Sequence, residues 1–198
     1  MSCTDELSLL AEATRYLFGS LLLVRETDLP APTPCRDWDL RSLLRHLRTS
    51  LADVTDVLTV REFQGRFGLD TDAAVATDPV AALRASIVDF VLASTSPPTS
   101  GHFCEIEDRS LSAKIVVYVG AIEMVLHAWD ITQACRADRP IPSDLASALL
   151  RLSPPLAEAG LAGCVFAEPL DAPATATASD QLLALFGRQP IGPGPCST

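Results

Sequence analysis

KIVVYVGAIEMVLHAWDITQAC, residues Lys114 to Cys135, is the stretch on which the fold turns. Ile115, Val116, Val117, Val119, Ile122, Val125, Leu126 and Ile131 leave no continuous polar face. A segment apolar all round predicts a helix enclosed at the centre of a bundle. Two groups interrupt it, Glu123 and His127, four residues apart and therefore on one helix face. A carboxylate and an imidazole taken out of water need partners. A divalent cation would serve both, and so would a plain hydrogen-bonded pair.

The segments on either side supply helices for that core. Leu7, Leu10, Leu17, Leu21 and Val24 recur at helical spacing between Asp5 and Thr27 and predict a first long helix. LPAPTP, Leu29 to Pro34, is a loop by its three prolines. Asp39 then stands as N-cap to a second helix whose stripe runs through Leu40, Leu43, Leu44, Leu47, Leu51, Val54 and Leu58. Arg61 to Thr77 reads as an irregular connection. Asp78-Pro79 opens a third helix carrying Val80, Leu83, Ile87 and Val91, and STSPPTSG, Ser94 to Gly101, ends it.

Beyond the central stretch, Ser143 is expected to cap a fifth helix that Pro154-Pro155 stops. Residues 160–178 read as extended surface chain. Ser179-Asp180 are expected to start a last short helix closed by Gly187. The expectation is an all-α protein: a four-helix bundle over residues 1–159, with residues 160–198 wrapped on it as part of the same domain.

A chain of 198 residues with 48% hydrophobic content can bury a sizeable single core. The net charge of −10 argues against nucleic acid and anionic membranes as partners, because both reward basic patches. The N-terminus lacks a basic segment followed by an apolar core and a cleavage site, so no signal peptide is read. No uncharged apolar run reaches the ~18 residues of a membrane span. Six dispersed cysteines without a C-x-x-C pair read as reduced, structural thiols, and a cytoplasmic location is expected.

The chain has three histidines, which keeps the accounting of metal ligands short. His127 lies on the central helix, His46 at the margin of the second helix's leucine stripe, and His102 in the loop region before the central helix. Two histidines with one glutamate make a three-ligand set that leaves positions open for water or substrate. Asp130, one turn beyond His127, could hold its other ring nitrogen, and Trp38 and Trp129 read as packing anchors. Arg84 sits among Val80, Ile87, Val88 and Val91, where a guanidinium is costly unless paired. It is a candidate clamp for an anionic substrate or cosubstrate. His102 is a candidate general base.

TPCRDWDLRSLLRHL, Thr33 to Leu47, and GAIEMVLHAWDI, Gly120 to Ile131, resemble the two signature stretches of the DinB-like metal-binding bundles. The nearer likeness is to the actinobacterial branch that includes mycothiol-dependent maleylpyruvate isomerase. There a P-C-x-x-W precedes a helix bearing a histidine, and an E-x-x-x-H-x-W-D follows later. Pro34, Cys35, Trp38, His46, Glu123, His127, Trp129 and Asp130 match those positions. The ending DQLLALFGRQP is also similar. The resemblance implies a four-helix bundle whose divalent metal is held by His46, Glu123 and His127. The branch carries a substantial further C-terminal domain, and residues 136–198 are too few to copy it, so the likeness is to the N-terminal bundle.

Three functions fit this reading. The first is a metal-dependent transferase or isomerase in which the ion activates a low-molecular-weight thiol, mycothiol by the resemblance, for attack on a small electrophilic substrate. The second is a thiol-independent tailoring enzyme in which the metal polarises a carbonyl. The third is a binding module without turnover. Zinc is the first choice of metal, with nickel, iron or manganese accepted by the same donor set. Bundles of this size often form homodimers, although no interface signature is legible.

Overall fold

The computed structural model describes residues 3–35, 38–59, 62–63, 77–96, 103–106, 109–152, 168–173 and 175–189. The chain divides into two compact units, Met1–Arg139 and Pro140–Thr198. The first holds helices α1 (Cys3–Leu21), α2 (Leu40–Thr59), α3 (Pro79–Thr95) and α4 (Ala113–Ala134). Their packing order is α1 on α4, α4 on α2, α2 on α3, and α3 back on α1. The architecture is the expected all-α bundle.

In α4, every residue from Tyr118 to Thr132 is buried. It is long and apolar enough to cross a membrane by length and composition, yet 89% of its most apolar window is enclosed by the protein. Its all-round apolarity therefore records a central position. In α2, Leu40, Leu43, Leu44, Leu47 and Leu51 are fully buried, each worth about 1.5–3 kcal/mol of transfer free energy. The caps of α2 and α3 follow the sequence reading. Asp39 Oδ1 accepts from Ser42 N at 2.8 Å, and Asp78 Oδ1 accepts from Ala81 N at 2.9 Å, with Pro79 in the first turn.

Other boundaries differ from expectation. The first helix ends at Leu21, and a short 3-10 turn at Glu26–Asp28 folds the chain back. The early turn buries Leu29 and lets its carbonyl accept from Arg41 N at 2.9 Å, which ties the loop to the start of α2. Short strands β1 (Glu62–Phe63), β2 (Phe103–Ile106) and β3 (Arg109–Ser112) form a small sheet, with β1 parallel and β3 antiparallel to β2. The strand β3 runs straight into α4, and the Ser112 hydroxyl caps the helix.

In the second unit, α5 (Ser143–Leu150) packs on α6 (Ala178–Leu185). Ser143 is the first residue of α5 rather than its cap, because Pro142 occupies the cap position and no side chain closes that end. The last helix starts one residue earlier than expected, at Ala178, and Thr177 caps it, its Oγ1 accepting from Asp180 N at 3.1 Å. Gly187 ends α6 with φ 72°, the left-handed conformation that favours glycine.

Gly120 lets α4 approach the ring of Phe90 on α3. A Cβ built at Gly120 would lie 2.4 Å from the far carbon of that fully buried ring. Gly120→Ala should therefore destabilise the bundle by about 1–3 kcal/mol through overpacking, although alanine is the better helix former by about 1 kcal/mol. Denaturant unfolding checks this, and Phe90→Leu in the same chain should recover part of the loss. A Gly120→Ala protein as stable as the parent would contradict the packing described.

Candidate functional site

α2 and α4 carry the site on facing sides. His46 and Ser50 are four residues apart on α2, and Glu123 and His127 are four apart on α4, so each helix presents two groups one turn apart. Glu123 Oε2 lies 3.3 Å from His127 Nε2 and 3.7 Å from His46 Nε2, and Ser50 Oγ donates to it at 3.3 Å. The two imidazoles meet edge to face, with ring centroids 5.2 Å apart. Glu123 and His127 are buried, whereas His46 keeps 21% of its side chain exposed and forms the open side of the group.

Behind His127 stands a second set of contacts. Asp130 Oδ2 lies 2.9 Å from His127 Nδ1, and Asp130 is fully buried. A buried carboxylate there holds a proton at Nδ1, so the ring donates to Asp130, and Nε2, which faces Glu123 and His46, is the nitrogen that takes a second proton or would ligate a metal. The Cys35 thiol donates to the same Oδ2 at 3.3 Å and sits 4.0 Å from His127 Nδ1. Cys35 is placed by a compact loop. Thr33 Oγ1 donates to the carbonyls of Cys35 and Trp38, Trp38 N donates to Cys35 O, and Leu40 N donates to Ala31 O. The same loop sets Trp38 against His46, with ring centroids 4.4 Å apart.

The charges follow from these partners. Burial alone would raise the Glu123 carboxyl, but hydrogen bonds and positive charge from His127 and His46 outweigh it and hold the group below the ordinary carboxylate range. Burial disfavours the charged form of His127, yet Asp130, Cys35 and Glu123 around it outweigh that and raise it well above an ordinary histidine. The carboxylates of Glu123 and Asp130 thus favour a positive charge at His127.

A metal ion is one way to supply that charge, and the donor set fits one. Nitrogen and oxygen ligands at about 2.0–2.2 Å from a tetrahedral ion lie roughly 3.3–3.6 Å from each other. The separations from Glu123 Oε2 are close to that spacing, 3.3 Å within it and 3.7 Å just beyond it. The ligand atoms of His46, Glu123 and His127 all lie within 4.8 Å of one another, as do those of Cys35, His127 and Asp130. His127 belongs to both groups through its two different nitrogens.

Sequence reasoning brought His46, Glu123, His127 and Asp130 to one place, and the structure puts them together. It took Cys35 for a bystander and passed over Ser50. Ser50 carried a signal, a small polar residue four positions after His46 inside a leucine stripe. Cys35 carried only its place in the P-C-x-x-W stretch, because its position beside His127 depends on the fold of a loop. Arg84 lies at the first turns of α3 and lines a cavity that none of the three donor residues reaches. His102 lies outside the described residues.

The family model for the mycothiol maleylpyruvate isomerase N-terminal domain matches residues 10–132, which is more than half of the chain and includes every residue of this site. Among curated proteins no sequence matches. Crystal structures of the mycothiol-dependent maleylpyruvate isomerase share the fold. A histidine-to-alanine mutant superposes with a TM-score of 0.60 and another structure of the enzyme with 0.57, each at 15% identity over 76% of this chain and 67% of the other. The match across both signature stretches, on a bundle of the same architecture, means that the chain belongs to the mycothiol maleylpyruvate isomerase N-terminal domain family.

Proposed function

We propose that this protein is a metal-dependent enzyme of the thiol-transferase or isomerase type that uses a low-molecular-weight thiol, mycothiol, on a small electrophilic substrate. The observation that carries the reading is the convergence of His46 Nε2, His127 Nε2 and Glu123 Oε2 at separations suited to one divalent ion, zinc before nickel, iron or manganese. When bound there, such an ion would lower the pKa of a thiol and make thiolate available near neutral pH.

The remaining work falls to the chain's own side chains. Asp130 holds the His127 proton at Nδ1 and fixes the ring plane, and Ser50 fixes the inner oxygen of Glu123. Trp38 packs on His46 and limits the rotation of its ring. His46 is the most exposed of the three donors, so the thiol and its substrate would enter from its side. His46, less buried than the other two donors, is the group placed to adjust as a ligand arrives.

Cobalt-substituted protein tests the proposal. Adding mycothiol should produce a sulfur-to-metal charge-transfer band that saturates, and His46→Ala should abolish it. A cobalt spectrum that mycothiol leaves unchanged, in a protein that holds the ion, would sink the thiol reading.

A further inference from the structure

At one end of the bundle, the end of α1, the 3-10 turn and the starts of α2 and α3 enclose a cavity of about 490 Å³. Its size falls within the range of small-molecule sites. Three of the chain's fourteen arginines, Arg25, Arg41 and Arg84, line it, in a protein whose net charge is −10. Leu21, Leu29 and Val80 supply an apolar wall beside them. The Arg84 Nε is buried and has no hydrogen-bond partner among the described residues. A guanidinium nitrogen removed from water without an acceptor is costly, and an anion entering the cavity would satisfy it.

Two carboxylates also line the space, Glu26 and Asp78. Asp78 is committed to capping α3 through Ala81 N. Glu26 is exposed and can turn to solvent. The balance of charge around the cavity is therefore positive, with planar donors suited to two-point contact with carboxylate or phosphate oxygens.

We propose that this cavity is a second ligand site, separate from the His46–Glu123–His127 group, which binds a small organic anion: a carboxylate or phosphate monoester with a short apolar arm. The anionic head lies against Arg84 and Arg41, and the arm lies on Leu21, Leu29 and Val80. The proposal does not depend on a metal being bound.

The probes are butyl phosphate and hexanoate, titrated into isotope-labelled full-length protein and followed by amide chemical shifts. Saturable shifts are expected at Leu21–Arg25 and Asp78–Arg84 in the millimolar range, and the two probes distinguish a phosphate from a carboxylate preference. Arg84→Gln should weaken binding by about tenfold, the size of one charge-assisted hydrogen bond, and Arg84→Lys should recover part of it. Arg41→Gln, at an exposed helix start, should weaken it as well and serves if Arg84→Gln fails to fold. His46→Ala should leave binding unchanged, and butylammonium should not compete. Binding that survives both arginine-to-glutamine variants, is lost in His46→Ala, or is matched by butylammonium would overturn the proposal, as would no saturable shift with either probe.

Discussion

Glu123→Gln should leave the fold close to intact while divalent ion held after reconstitution falls from near the one equivalent expected of the parent to a small fraction of it by elemental analysis. Glutamine fills the same volume and can still accept from Ser50, but its neutral oxygen no longer offers the charge that the two imidazoles face. The expected fall in metal affinity exceeds the about 10–100-fold seen when only a partner behind a ligand is removed. Glu123→Ala should go further, costing about 3–5 kcal/mol in metal-free protein because it breaks a buried charge pair. In chelator the pH dependence has a definite sign. The Glu123 carboxyl is held below its ordinary 4.5, so its contribution is present above that value and lost as pH falls through the lowered one. His127 is raised above 6.5, so its contribution is present below that value and lost as pH rises through the raised one. A bound ion needs an unprotonated Nε2 on His127, so added metal should extend stability to higher pH. Full metal retention in Glu123→Gln would remove the donor set from consideration, and Glu123 would stand as one half of a buried ion pair.

The second large effect is expected at a residue that does not face the donors. Asp130→Asn should reduce metal affinity about 10–100-fold, since a neutral acceptor polarises the His127 ring less and fixes its tautomer less firmly. Asp130→Ala should add a folding cost of about 1–3 kcal/mol, because the buried Nδ1–H is left without an acceptor. Competition against a chromophoric chelator measures the first effect and thermal unfolding the second. Cys35→Ser, which keeps a donor to Asp130, should change both far less. If Asp130→Asn binds metal like the parent, Asp130 does not hold the ring for that purpose.

Much of this was legible in the chain, for physical reasons that differ from place to place. The leucine stripe of α2 and the caps Asp39 and Asp78 are local signals, readable without any neighbour. The site was legible because an apolar helix with one Glu and one His has few ways to satisfy them. The small sheet was not, since two- and four-residue strands are too short to show an alternating pattern. Its pairing of Glu62 with Glu105 also joins distant parts of the chain. The thiol beneath His127 was missed because the Thr33–Trp38 loop, and no periodicity, carries Cys35 there. Arg84 was visible as an oddity on an apolar face, but its cavity depends on four elements meeting at one end of the bundle. The start of α5 was misjudged by one position because a proline, with no side chain to cap, can still precede a helix.

Every group described around the donors, from Thr33 to Asp130, lies before Arg139, where the first compact unit ends. The groups on which the proposed function rests thus all come from one compact unit of the chain. Substitutions after Arg139 replace none of these groups, so the first unit's proposed donors and the second unit can be mutated one at a time.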